Sequence, residues 1–164
     1  MHQHKVIAFD PGQTTGVAIG SINLGQAGTP NPLAGFRLLE AFEVHWAFRL
    51  RDLDALFSNM RAYKGNAVTI DAVVIESFRL YANKAHSQIN SAFPSVQVIG
   101  AIELLCHQQS LADKIVYQSA SEIARVQIVS EDQVYLTSEH MRDAYKHMRL
   151  WFVKNRPWAD PSRK

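Results

Sequence analysis

The sequence predicts an α/β domain: one mixed five-stranded sheet flanked by helices on both faces. Three observations carry that prediction. Two short and wholly apolar runs, Val6–Phe9 and Ala72–Ile75, have the continuous hydrophobicity of strands buried on both sides. Strand-like and helix-like patterns follow one another in the order ββ-β-α-β-α-β-α-α, which folds as a sheet with helices packed on it. The chain has 164 residues, 47% of them hydrophobic and 20% charged, enough for a single domain, 1–164, with one substantial core.

Residues 5–10 form the first strand. Pro11-Gly12 breaks it, and residues 14–20 fold back as a second strand. The segment from Ser21 to Leu33 holds Gly25, Gly28, Pro30 and Pro32 and is expected as a loop. From Phe36 to Trp46, Phe42, Val44 and Trp46 alternate with Glu43 and His45, the period of a strand. Leu53, Leu56, Phe57, Met60 and Tyr63 recur at helical spacing over residues 50–64, and Gly65-Asn66 stops that helix. Asp71–Glu76 follows without a hairpin signal, so it is expected parallel to the first strand. Phe78–Phe93 is a mixed polar and aromatic segment. Val96, Ile99, Ile102 and Leu105-Cys106 then set a helix from Ser95 to Gln109, and Lys114–Tyr117 is a short strand. Ser119 or Ser121 can cap a short helix reaching Val126. Thr137 or Ser138 caps the last helix, which Arg156-Pro157 ends, and a basic tail follows from residue 156.

Composition narrows the function classes. The net charge is +2 with seven histidines, and the pI is about 8.8, compatible with a nucleic-acid partner without requiring one. No apolar run approaches the roughly 20 residues of a membrane span, so no membrane partner is expected. Met1-His-Gln-His-Lys5 lacks the apolar core of a signal peptide, and a cytoplasmic product is expected. Cys106 is the sole cysteine, which rules out an internal disulfide and a thiolate zinc site; inside Ile102–Cys106 it reads as a small core residue.

Chemistry concentrates at three places. Asp10 ends the first apolar strand and Glu76 ends the second, so adjacent parallel strands would bring the two carboxylates side by side. At about 100° per residue, His140, Asp143 and His147 share one narrow arc of the last helix, beside the apolar Ala144, Met148 and Trp151. Polar groups on a docking face need partners, and the strand-end carboxylates are the economical ones. Crowded carboxylates raise one another's pKa unless a cation offsets them. Oxygen ligands without thiolate suit Mg²⁺ or Mn²⁺, and a histidine tilts the preference toward Mn²⁺. Two ions about 4 Å apart can hold the attacking water and the leaving oxygen of a phosphodiester. The competing account is separate events: a turn aspartate bonded to its own backbone, a strand-end glutamate and a capping His/Asp pair.

Asp10-Pro-Gly-Gln-Thr-Thr-Gly16, Val74-Ile-Glu76 and His140-Met-Arg-Asp143-Ala resemble the three motifs of RuvC-type Holliday-junction resolvases of the RNase H-like superfamily, in the family order and across nearly the whole chain. Size and variant loops look like the phage-borne members. The resemblance implies an RNase H-like fold and a homodimeric, metal-dependent endodeoxyribonuclease. Such an enzyme nicks a four-way DNA junction in pairs, leaving 5′-phosphates, in recombination, repair or phage DNA processing. It implies two Mg²⁺ or Mn²⁺ ions per site, with Asp10, Glu76 and Asp143 as ligands. His140 stands where many members carry Asp, which leaves open whether it binds metal, protonates the leaving 3′-oxygen or positions water. His147 is expected in the core or supporting a ligand, and Glu139 and Glu103 on the surface.

The resemblance also implies an aromatic wedge after Glu76, for which Phe78 and Tyr81 are both candidates, although Phe78 equally fits the core. Arg79, Lys84, Arg142 and Lys146, with Arg125, are candidate phosphate contacts. The apolar helix near residues 96–106 resembles the family's dimer-forming helix, with burial on the sheet as the competing account. Three rivals remain. A hexokinase-like phosphotransferase shares Asp-x-Gly-x-Thr but needs two domains and an adenosine site, so no nucleotide cofactor is expected. Another RNase H-like nuclease would share the metal site. A non-catalytic junction binder would have no need of a charge-repelling cluster.

Overall fold

The computed structural model describes residues 3–23, 33, 35–62, 70–78 and 93–155. Five strands, β1 (Gln3–Asp10), β2 (Thr14–Asn23), β3 (Phe36–His45), β4 (Ile70–Glu76) and β5 (Ile115–Gln118), form one sheet in the order β3-β2-β1-β4-β5. β1–β2 and β2–β3 pair antiparallel, whereas β1–β4 and β4–β5 pair parallel. Helices α1 (Arg49–Ala62) and α2 (Pro94–Gln108) cover one face; α3 (Glu139–Lys154) covers the other. The mixed five-stranded sheet between helical layers is thus the predicted architecture, and the parallel placement of Glu76's strand beside the first is confirmed. None of the described helices is long and apolar enough to cross a membrane.

Strand periodicity sorts the side chains. On the α1/α2 face lie Ile7 and Phe9 of β1, Val17 and Ile19 of β2, and Val73 and Ile75 of β4, against Leu53, Phe57, Val98 and Ile102. Cys106 is buried in the same layer, and that burial pushes its thiol up to about 12. On the α3 face lie Val6, Ala8, Ala18, Ala72 and Val74, against Met141, Ala144, Tyr145, Met148 and Phe152. Continuing each row by two residues puts Asp10, Glu76 and Gln118 on the α3 face at the carboxyl ends of β1, β4 and β5. That is where open sheets with parallel strands gather their ligand sites.

Several boundaries differ from the sequence expectation. β2 continues through Ser21, Ile22 and Asn23, because Ile22 is buried under α3 and Gln3 pairs with Asn23; residues 24–32 of the loop expected over Ser21–Leu33 lie outside the described residues. β5 extends past Tyr117 to Gln118. The helix expected through Val126 is a single turn, Ala120–Ile123, whose capping serine is Ser119; its N–H donates to Glu122 Oε2 at 2.7 Å. α2 starts at Pro94, whose missing N–H is harmless at a first helical position. Ser138 caps α3, its Oγ accepting the Met141 N–H at 3.1 Å.

Candidate active site

Asp10 and Glu76 extend from positions in register: Phe9 lies opposite Ile75 in the parallel ladder, and each carboxylate is the next residue. The turn after Asp10 is closed by Thr15 rather than by the aspartate. Thr15 Oγ1 donates to the Gly12 carbonyl and accepts the Gly12 N–H, each at 3.3 Å. That leaves the Asp10 carboxylate to point across the sheet end to α3, and the turn-aspartate alternative does not describe its contacts.

Close approach of α3 is what makes the meeting possible. Gly16 is the ladder partner of Asp10, and a Cβ built on it would sit 2.0 Å from the His140 carbonyl oxygen. Only hydrogen fits between β2 and the first turn of α3 there. The last glycine of the opening motif is therefore a packing requirement, and it sets His140 beside Asp10: His140 Nδ1 lies 2.7 Å from Asp10 Oδ2. Two turns further along α3, His147 Nε2 lies 3.0 Å from Glu76 Oε2. His147 is fully buried, as a core histidine would be, and its ring contacts the Glu76 carboxylate. Between them on the helix, Asp143 Oδ1 accepts a hydrogen bond from Lys146 Nζ at 2.6 Å.

Burial pushes the Asp10 carboxyl above its ordinary range; the His140 hydrogen bond opposes this, and the charges of Glu76 and Asp143 reinforce it. The three carboxylates therefore act on one electrostatic point. His140 moves up, chiefly through its hydrogen bond to Asp10, with Coulombic help from Asp10, Glu43 and Glu139. Asp10 keeps 16% of its side chain exposed and His140 46%, so both are accessible to a substrate. In this arrangement His140 engages Asp10, His147 engages Glu76 and Lys146 engages Asp143. Among the described residues no group of three or more His, Cys, Asp or Glu side chains is arranged to hold a metal ion. The Lys146 ammonium thus offsets the Asp143 carboxylate, and Asp10 is met by its hydrogen bond to His140.

Other expected residues are distributed as follows. Phe78 is 39% exposed, stands outside both core clusters and packs on Phe93 with ring centroids 5.7 Å apart. Together with Glu76, Ser77, Ser95 and Ser119 it lines a cleft of about 200 Å³ that opens beside the carboxylates. Arg142 donates to the Leu136 carbonyl at 3.1 Å and so fastens the loop entering α3. Arg125, Glu139 and Glu103 are exposed. Arg79, Tyr81, Lys84 and the basic tail lie outside the described residues. Gln118, absent from the sequence-derived site, is buried with its Oε1 2.9 Å from His147 Nδ1. Its signal is the polar residue that ends the fifth strand, which the sequence expectation closes one residue earlier, at Tyr117.

Neither a family model nor a curated protein matches the chain. Solved structures do. The Thermus thermophilus RuvC structure aligns at 15% identity over 96% of this chain and 99% of its own, with a TM-score of 0.60. T. thermophilus RuvC in complex with Holliday junction substrate aligns at 13% identity over 94% and 96% of the two chains, with a TM-score of 0.59. At such identity the likeness defines the class of fold alone: the described residues form a RuvC-like, RNase H-like α/β fold.

Proposed function

We propose that the chain is a structure-selective endodeoxyribonuclease that resolves four-way DNA junctions by paired nicks, acting as a homodimer in DNA recombination, repair or phage DNA processing. The observation that carries this reading is the convergence of Asp10 and Glu76, from neighbouring parallel strands, with His140 and Asp143 of α3. Full-length likeness to a RuvC solved with Holliday junction substrate supports the choice of DNA substrate.

The donor set suits a hard divalent cation. Three carboxylates whose charges act on one another, with an imidazole and no thiolate, match Mg²⁺ or Mn²⁺. Asp10, Glu76 and Asp143 would hold two such ions, with His140 a fourth ligand or a proton donor. Bound there, the ions supply water activation and stabilisation of charge on the leaving oxygen. With the ions present, Lys146 would be free to meet a backbone phosphate, and His140, if not a ligand, would be the group available to protonate the departing 3′-oxygen.

Phe78 serves as the stacking wedge beside the cleft, with Tyr81 the other candidate, and Arg79, Lys84, Arg142 and Lys146 meet phosphates. Exposed Val96 and Leu104 on α2, with Tyr117 of β5, give the second protomer an apolar surface to cover. The test is a comparison of cleavage of a four-way junction, a linear duplex and an RNA–DNA hybrid with Mg²⁺ or Mn²⁺. Junction cleavage well above the other two is expected. Preferential cutting of the hybrid would transfer the site to a different RNase H-like activity.

A further inference from the structure

Behind the carboxylates sits a polar pair that hydrolysis itself does not use. His147 and Gln118 are both buried, in a layer otherwise made of Val74, Val116, Ala144 and Met148. Burying an imidazole and an amide there is unfavourable unless each finds partners, and an apolar side chain would fill the same volume without that demand. Their partners form a line. Gln118 Oε1 lies 2.9 Å from His147 Nδ1, and His147 Nε2 lies 3.0 Å from Glu76 Oε2. Gln118 is also the ladder partner of Glu76 across β4 and β5, and its carbonyl accepts the Ser77 N–H at 2.7 Å. One residue thus holds the backbone just after Glu76 and, through the imidazole, the Glu76 side chain.

The direction of the line follows from donor counting. A neutral imidazole has one N–H and one acceptor nitrogen, and an ionised carboxylate only accepts. For a neutral ring against an ionised Glu76 the proton sits on Nε2, and Nδ1 accepts. Gln118 meets that need by presenting its amide NH₂, the two ends of the amide being alike in shape and assigned by the network they enter. We infer that Gln118 and His147 form a positioning relay for Glu76: Gln118 fixes the imidazole tautomer, and the imidazole holds one carboxylate oxygen. Glu76 keeps 23% of its side chain exposed toward the cleft, which leaves it able to take a cation while its orientation is held from behind. The cation clause rests on the proposed metal site; the tautomer clause does not. Hydrogen bonds behind a ligand of this kind typically affect metal affinity by about 10–100-fold.

Two measurements test the relay, neither depending on cleavage. In metal-free, ¹⁵N-labelled wild-type protein, the His147 ring nitrogens should report the neutral form protonated on Nε2. A ring protonated on Nδ1 or on both nitrogens overturns the relay. Direct titration with Mn²⁺, followed by the electron-spin signal of the free ion, should show affinity falling about 10–100-fold in Gln118→Met and His147→Phe. His147→Gln, which keeps an N–H donor near Glu76, should retain more affinity than His147→Phe. Asp10→Asn separates the two layers of the argument. If wild type binds no Mn²⁺, the metal site and the relay's use fall together. If wild type binds, Asp10→Asn does not and Gln118→Met matches wild type, the relay alone is overturned.

Discussion

The two faces of the sheet are packed by opposite strategies. Toward α1 and α2 the strands present large side chains, Ile7, Phe9, Ile19 and Ile75, and the helices return Leu53, Phe57 and Ile102. Toward α3, beside Val6, Ile22 and Val74, they present the small Ala8, Gly16, Ala18 and Ala72, while the helix supplies Met141, Tyr145, Met148 and Phe152. Small residues on the strands let α3 lie close, and closeness lets its short polar side chains reach the strand ends. One layer is an apolar core; the other is a core with a reactive rim. The position of chemistry in this fold is a consequence of which face has the small residues.

The contrast can be broken from either side. Phe57→Ala, on the apolar face, should lower the unfolding free energy by about 3–5 kcal/mol in denaturant titration, while the folded fraction keeps the proposed junction cleavage. Gly16→Ala adds a methyl against the α3 backbone and should destabilise by about 1–3 kcal/mol. Here, though, cleavage per folded molecule should fall steeply, because α3 must move away from Asp10. Equal activity losses in the two variants would remove the distinction between the faces.

The smallest expected effect is electrostatic. His140 has its folded-state pKa raised, chiefly by the Asp10 hydrogen bond, so the stabilisation of its charged form is complete below about pH 6.5. It is lost as pH rises through the raised value. Asp10 is also raised, by burial first, so its ionisation is disfavoured in the fold and it too loses stability upward, starting from the acid side. In an NMR titration without metal, the His140 imidazole should titrate above its ordinary value in wild type and fall back toward it in Asp10→Asn. An unchanged His140 titration in that variant would mean the pair is not coupled in solution.

Much of this was legible in the residues, for reasons that also explain what was not. Val6–Phe9 and Ala72–Ile75 are apolar on both faces, so their strands and the carboxylates ending them could be read without coordinates. The arc of His140, Asp143 and His147 followed from helical geometry alone. Gly16 was visible only as part of a motif, because the need for a bare α-carbon comes from a helix that arrives 124 residues later, at His140. Gln118 was hidden by a boundary error of one residue in a four-residue strand. Pairing within the site was also out of reach: spacing puts Asp143 and Lys146 on neighbouring turns but does not say that they bond to each other.

The most direct test of the account concerns Asp10, the residue on which strand, turn and helix converge. Asp10→Asn keeps the size of the side chain and removes the charge that both His140 and a divalent cation need. The measurement is junction binding without metal alongside junction cleavage with Mg²⁺ or Mn²⁺, for wild type and variant in parallel. The account predicts that binding persists and cleavage is lost. A variant that still cuts the junction at the wild-type rate would contradict it.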